Sequence, residues 1–245
     1  MRHGAVEYLA PDGRRYSSGE RPLSQAGREQ ARAAGRFLMD AGVKPDRVIA
    51  STLPRTIQTA GEVLGVLELA LPVEQWADLE ELKGGRVGDI PEADLEREYA
   101  RAFVGVVPAS RKYLGGETFG SMVDRVHAAV ARIVAEPGWD VLLLVLHGAV
   151  NRSILSTALT GDKTYLGNFQ QSPACINVLD VSAAPGEPDW VLRAVNIAPT
   201  DPAHVRTRTT TMEDQYLKFL QLRIDPSGPT GPRPCPTGLR STDGP

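Results

Sequence analysis

Five side chains spread along the sequence have the types needed to handle a tetrahedral dianion: Arg2, His3, Arg55, Glu81 and His147. A guanidinium offers a planar fork of donors that meets phosphate oxygens two at a time, and it stays charged. A neutral imidazole is a competent nucleophile near physiological pH. A carboxyl group beside them could hand a proton to a departing alkoxide. The two histidines are each followed by glycine, as His3-Gly4 and His147-Gly148. Either pair alone is weak, because a histidine after a strand is more often a structural hydrogen-bonding residue. The combination with two arginines and an acid points to phosphate chemistry.

These groups need a frame that brings them together. The unbroken apolar run Val141 to Leu146 ends at His147-Gly148 and reads as a buried strand. Ligands of open α/β sheets bind at the carboxyl ends of strands, where His147 stands. Arg47 to Ala50 and Leu71 to Val73 are further strand candidates, followed later by Ala174 to Val181 and Trp190 to Ile197. Ser24 can cap a helix that closes at Gly42, and Pro54 opens a second that runs to Leu67. Pro91 to Phe103 reads as a helix. So does Thr118 to Ala135, with Thr118 as its cap and Val123, Val126, Val130 and Ile133 as its buried face. Residues 150–159 and Met212 to Leu222 complete the helices; residues 5–22 and 76–90 read as loops. Strands alternating with helices up to about residue 160 predict an α/β fold with a largely parallel sheet. From Asp225 on, the chain is Pro/Gly-rich with almost no apolar content. That predicts one catalytic domain over residues 1–224 and a disordered tail over 225–245.

Composition narrows the function. The net charge of -3 gives no electrostatic case for nucleic acid or an anionic membrane. No apolar run approaches a membrane span, and no secretion signal is visible. Cys175 and Cys235 are far apart and lack metal-ligand spacing. The expectation is a cytoplasmic, disulfide-free enzyme acting on a small-molecule phosphate ester, with no metal and no cofactor.

Six stretches then resemble one family in order and spacing: Arg2-His3-Gly4, Pro22 to Ala31, Ala50 to Ala60, Leu79 to Gly85, Gly115 to Thr118 and Leu143 to Arg152. The family is the histidine phosphatase superfamily, which includes the cofactor-dependent phosphoglycerate mutases. The match is to its smaller, intracellular branch and covers roughly residues 1–180. The resemblance implies a three-layer α/β/α, phosphoglycerate mutase-like fold with the site at the carboxyl edge of the strands. It implies that His3 accepts the phosphoryl group and that Arg2, Arg55 and a protonated His147 hold the phosphate. It also implies that Glu81 is the general acid, with Glu80 and then Asp78 as competitors. Mutase members leave room for a homodimer.

The departures bear on activity. Ala5 and Val6 stand where many members carry Glu and Thr, and Glu7-Tyr8-Leu9 stands near the mutases' Trp-Asn pair. That favours hydrolysis over mutase-type phosphotransfer, and a phosphate-binding module without turnover stands as a further alternative, supported by the incomplete first strand. Only Met1 precedes Arg2, where the family has an apolar core strand. The expectations are therefore a natural start upstream and a poorly held His3. Packing or surface roles are expected for His127, His204, Arg21 and Arg152, while Glu117 and Thr118 are balanced between capping and phosphate contact. Specificity is expected from residues 5–21, 84–118 and 198–212.

Overall fold

A computed structural model describes residues 1–12, 14–182, 189–205 and 209–224. Cys235 and the Pro/Gly-rich tail lie outside the described residues. The centre is a parallel sheet in the order β2 (Val73–Gln75), β1 (Arg47–Ala50), β4 (Leu142–Val145). β1 pairs Val48 with Val73 on one side and Ala50 with Val145 on the other. Alternate residues of these strands face opposite layers, as the two-residue period of a strand requires. Val48, Ala50, Leu143 and Val145 pack on α1 (Gln25–Asp40) and α2 (Pro54–Leu67), through Ala34, Leu38, Ala60 and Val63. Ile49 and Leu144 turn to the other side, against Phe119, Met122, Val126 and Ile133 of α4 (Phe119–Ala135) and Val150 of α5 (Gly148–Thr160). The result is the expected three-layer α/β/α core.

Several boundaries differ from expectation. β2 starts at Val73 rather than Leu71. Pro72 lacks an N–H and cannot donate to a ladder. The helix expected over Pro91 to Phe103 shrinks to a 3-10 turn and α3 (Leu95–Tyr99). Beyond it the chain turns away and buries Ala102 and Phe103, and Phe103 stands edge-on to Phe119 at 5.4 Å. The two-residue strands β3 (Val106–Val107) and β5 (Tyr165–Leu166) pair antiparallel and carry no periodic signal. β6 (Ile176–Ser182) and β7 (Asp189–Ile197) form an antiparallel pair, and α6 (Thr211–Ile224) follows.

The segment Met1 to His3 corrects the expectation of a poorly held His3. Arg2 bridges Leu146 in parallel, just past the end of β4. The His3 N–H donates to the Leu146 carbonyl at 3.0 Å, and Leu146 N–H donates to Met1 O at 2.9 Å. On the other edge Arg2 N–H donates to Cys175 O, and Ala174 N–H donates to His3 O. Short as it is, the segment is laddered on both sides. The turn after it rests on α1. An ideal Cβ on Gly4 would stand 2.3 Å from Gly27 O, and one on Gly27 would stand 2.0 Å from Ala5 O. Only two glycines let these backbones touch. Gly4 N–H then donates to Thr59 Oγ1, and Ala5 N–H donates to Gln30 Oε1. Gly27→Ala is therefore expected to cost about 1–3 kcal/mol in denaturant unfolding and to lower activity together with stability. A loss below about 0.5 kcal/mol, the range of a neutral surface change, would contradict this contact.

Candidate active site

The carboxyl ends of Met1–His3, β1 and β4 open into a cleft of about 320 Å3, with Arg2, His3, Arg55 and Glu81 among its walls. Arg2 and Arg55 are almost fully buried, at 6% and 5% exposure. Arg55 enters in the first turn of α2, directly after Pro54, and donates to Ser18 O at 2.8 Å. Arg2 donates from Nη1 to Gln171 O at 2.5 Å. Gln171 is itself fully buried and bonded to Asn151 and Asn177.

The tautomer of His3 follows from its partner. Nδ1 lies 2.7 Å from Gly4 O. A carbonyl only accepts, so Nδ1 carries the proton and Nε2 of the neutral ring keeps its lone pair. His147 stands behind His3, with ring centroids 5.2 Å apart and the planes at 64°. It is fully buried, occupies the N-cap position of α5, and pairs Nε2 with Ser51 Oγ at 2.7 Å. Its Nδ1 is buried with no hydrogen-bond partner. Burial, reinforced by Arg2 and Arg55, holds the His3 imidazolium pKa well below 6.5. Burial and then Arg55 do the same at His147, so both rings favour the neutral form. Burial also brings Arg55 down to about 10. Each shift has the same physical origin, which is cations crowded into a site shielded from water.

Among the adjacent acids, the backbone decides which reaches the cleft. Glu81 turns its carboxylate onto the N-terminus of α5, accepting from Ala149 N at 3.2 and 3.3 Å and from Leu82 N at 3.0 Å. A helix N-terminus favours a negative group. Glu80 points elsewhere, accepting from Thr52 Oγ1 and pairing with Lys83 at 3.5 Å. Asp78 is exposed and pairs with Arg132. Neither lines the cleft.

Two residues carry more than their sequence context suggested. Arg152 is no solvated surface charge. It is 4% exposed, donates to Phe169 O at 2.6 Å, and its guanidinium lies over Phe103 at 5.2 Å. Its Nη1 is 3.2 Å from where a Cβ on Gly148 would sit, with Glu81 Oε2 and Arg2 Nε 3.8 Å from the same point. Glycine at 148 thus keeps the floor of the site open. Arg125 went unnoticed. It donates to the carbonyls of Asp78, Glu80 and Glu81 at 2.9, 2.7 and 3.2 Å, and it is itself held by Glu117. The available signal was a lone arginine beside the apolar stripe of α4. Glu117 and Thr118 do not line the cleft; Thr118 caps α4 through Ser121 N. His127 bonds Thr157, and His204 lies in an exposed loop away from the cleft.

The profile of the histidine phosphatase superfamily (branch 1) matches residues 1–197. The chain belongs to this superfamily. Human 6-phosphofructo-2-kinase/fructose-2,6-bisphosphatase 4 is 31% identical over 157 residues, 63% of this chain. The present chain spans 31% of that relative's length. Among solved structures, mycobacterial glucosyl-3-phosphoglycerate phosphatase complexed with VO3 superposes with a TM-score of 0.61 at 25% identity, covering 80% of this chain and 96% of that one. A putative α-ribazole-5'-P phosphatase from Escherichia coli K-12 gives 0.61 at 25% identity, covering 80% and 94%. The relatives are phosphatases of this superfamily, in the E. coli case putatively.

Two outcomes follow from the geometry. Because the His3 pKa is lowered, its ring takes up a second proton only well below pH 6.5. A ring-proton NMR titration of His3 is expected to stay flat from neutrality through 6.5, and a midpoint at or above 6.5 would contradict the burial argument. Arg125→Ala frees the loop that carries Glu81. It is expected to lower kcat on the order of hundredfold with a smaller change in KM; an unchanged kcat would remove Arg125 from the positioning of Glu81.

Proposed function

We propose that the protein is a phosphomonoesterase that hydrolyses a small phosphorylated metabolite through a phosphohistidine at His3. The observation that carries this reading is the tautomer of His3. With Nδ1–H held by Gly4 O, the Nε2 lone pair faces a cleft whose other walls are Arg2, Arg55 and Glu81. The buried, unpartnered Nδ1 of His147 and the crowded guanidiniums support an anion as the occupant. The relatives' names support phosphate esters, and the mycobacterial phosphatase of like fold was solved with VO3, an oxyanion.

In the first step Nε2 forms a bond to phosphorus as the ester P–O bond breaks. The departing alkoxide takes a proton from the Glu81 carboxyl. A dianion docked beside Glu81 favours that protonated form, since like charges repel. Arg2 and Arg55 hold the equatorial oxygens, where charge builds in the transition state. The same dianion favours protonation of His147, which stands one ring behind His3 with its Nε2–H then held by Ser51. In the second step the Glu81 carboxylate takes a proton from water. The water oxygen bonds to phosphorus, the N–P bond breaks, and inorganic phosphate leaves. His3 regains its lone pair.

The guanidiniums supply the positive charge that a metal would otherwise bring, so the reaction is proposed to be metal-independent. The cleft volume suits a metabolite rather than a polymer. Among the described residues, no helix is long and apolar enough to cross a membrane. A cytoplasmic enzyme acting on a free ester is the proposed setting.

Hydrolysis of p-nitrophenyl phosphate tests the reading. His3→Ala is expected to lower kcat on the order of 10^3-fold or more, and EDTA to leave the rate unchanged. Full activity in His3→Ala would overturn the nucleophile, and loss in EDTA restored by Mg2+ or Zn2+ would overturn metal independence.

A further inference from the structure

The proposed phosphoryl end of the cleft accounts for Arg2 and Arg55, and Arg152 lies under it beside Gly148, but the cleft continues to a second wall. Tyr8, Arg21 and Tyr99 form part of it, and α6 closes it with Lys218. This placement of α6 is anchored by Tyr99, which stacks on Phe219 at 5.7 Å and lies 5.9 Å from Tyr216. The Tyr8 ring serves both cations of this wall. The Arg21 guanidinium lies 4.7 Å from its centroid and Lys218 Nζ lies 5.6 Å from it.

The charge of this wall is incompletely offset. Lys218 pairs with Asp214 at 2.6 Å, one helical turn away. Arg21 has no ion pair among the described residues, and its Nε is buried with no hydrogen-bond partner. Arg21 also stands close enough to Arg55 to help lower its pKa. In all, five cationic side chains and two carboxylates line the cleft among the described residues. One phosphoryl dianion leaves part of that positive charge unmatched. An aromatic ring satisfies the face of a guanidinium but leaves its edge donors available.

We propose that Arg21, with Tyr8 and Lys218, forms a second anion subsite, so that the substrate is a phosphate ester bearing another negatively charged group. This rests on the phosphomonoesterase reading of the His3 site. The shared chemistry is an oxyanion, and a carboxylate and a second phosphate are its two sources. A carboxylate or phosphate would meet the edge of Arg21 in a forked, charge-assisted pair. Residues 5–21 would then set specificity through Tyr8 and Arg21, with α6 supplying the facing cation.

The test uses two matched ligand pairs that differ in the second anion. 3-Phosphoglycerate is compared with glycerol 3-phosphate, and fructose 1,6-bisphosphate with fructose 6-phosphate. Calorimetric affinities are measured on the full chain carrying His3→Ala, so that turnover does not intervene. In at least one pair the member with two anions is expected to bind about tenfold tighter or more. The pair that responds identifies carboxylate or phosphate. Adding Arg21→Ala is expected to bring that ratio close to one, and Arg21→Lys to restore part of it. A ratio near one before Arg21 is changed, or one that survives Arg21→Ala, would overturn the subsite. An equal loss for both members would place Arg21 on the phosphoryl group or in the scaffold, and would overturn it as well. Hydrolysis of p-nitrophenyl phosphate by the chain with His3 intact separates the two proposals. No turnover with an Arg21-dependent ratio removes the phosphatase reading alone, and turnover with a ratio near one removes the subsite alone.

Discussion

The hydrogen bond from His3 Nδ1 to the Gly4 carbonyl, 2.7 Å long, is the contact on which the proposed chemistry depends. It fixes the tautomer, aims Nε2, and works only if the Gly4 peptide cannot turn. That peptide is fixed from three directions. The ladder bonds at Leu146 and Ala174 hold His3, Thr59 on α2 receives the Gly4 N–H, and Gly27 on α1 lies against the turn at contact distance. The three layers of the fold meet at this one turn.

The site carries a folding cost. Guanidiniums shielded from water and the unpartnered Nδ1 of His147 lose hydration on folding. The lowered pKa values of His3, His147 and Arg55 are the electrostatic record of that cost. It is offset by the apolar layers on both faces of the sheet, which hold the strands in place whether or not the charges are satisfied. In the proposed reaction an incoming dianion would meet donors that are already oriented, so little reorganisation would remain to be done. Arg125 extends the same logic to Glu81, the proposed acid, since one guanidinium ties the carbonyls of Asp78, Glu80 and Glu81 to α4.

Much of this was legible in the sequence, for identifiable reasons. β1, β4, α2 and α4 announce themselves through apolar runs, a Pro at a first turn and a capping Thr, all local signals. Arg2, His3, Arg55, Glu81 and His147 were named from residue type and position, and the fold gathers them, with His147 one ring behind the cleft wall. What was hidden depends on distant partners. Residues 1–3 look too short for a strand, yet Leu146 and Cys175 ladder them from both sides. Glu80 and Glu81 are indistinguishable by type, and only the turn of the backbone onto Ala149 separates them. Arg152 reads as an exposed charge until Phe103 and Phe169 cover it. The helix expected over Pro91 to Phe103 gave way because Phe103 gains more from the aromatic cluster than from another helical turn.

The central claim is that phosphorus is displaced twice, first by His3 and then by water. The stereochemical course at phosphorus tests it most directly, using a phosphorothioate ester made chiral with two oxygen isotopes and hydrolysed in water carrying the third. Each in-line displacement inverts the configuration, so the account predicts overall retention in the inorganic thiophosphate released. Inversion would mean that water attacks the ester directly, and His3 would then be a binding group rather than the nucleophile.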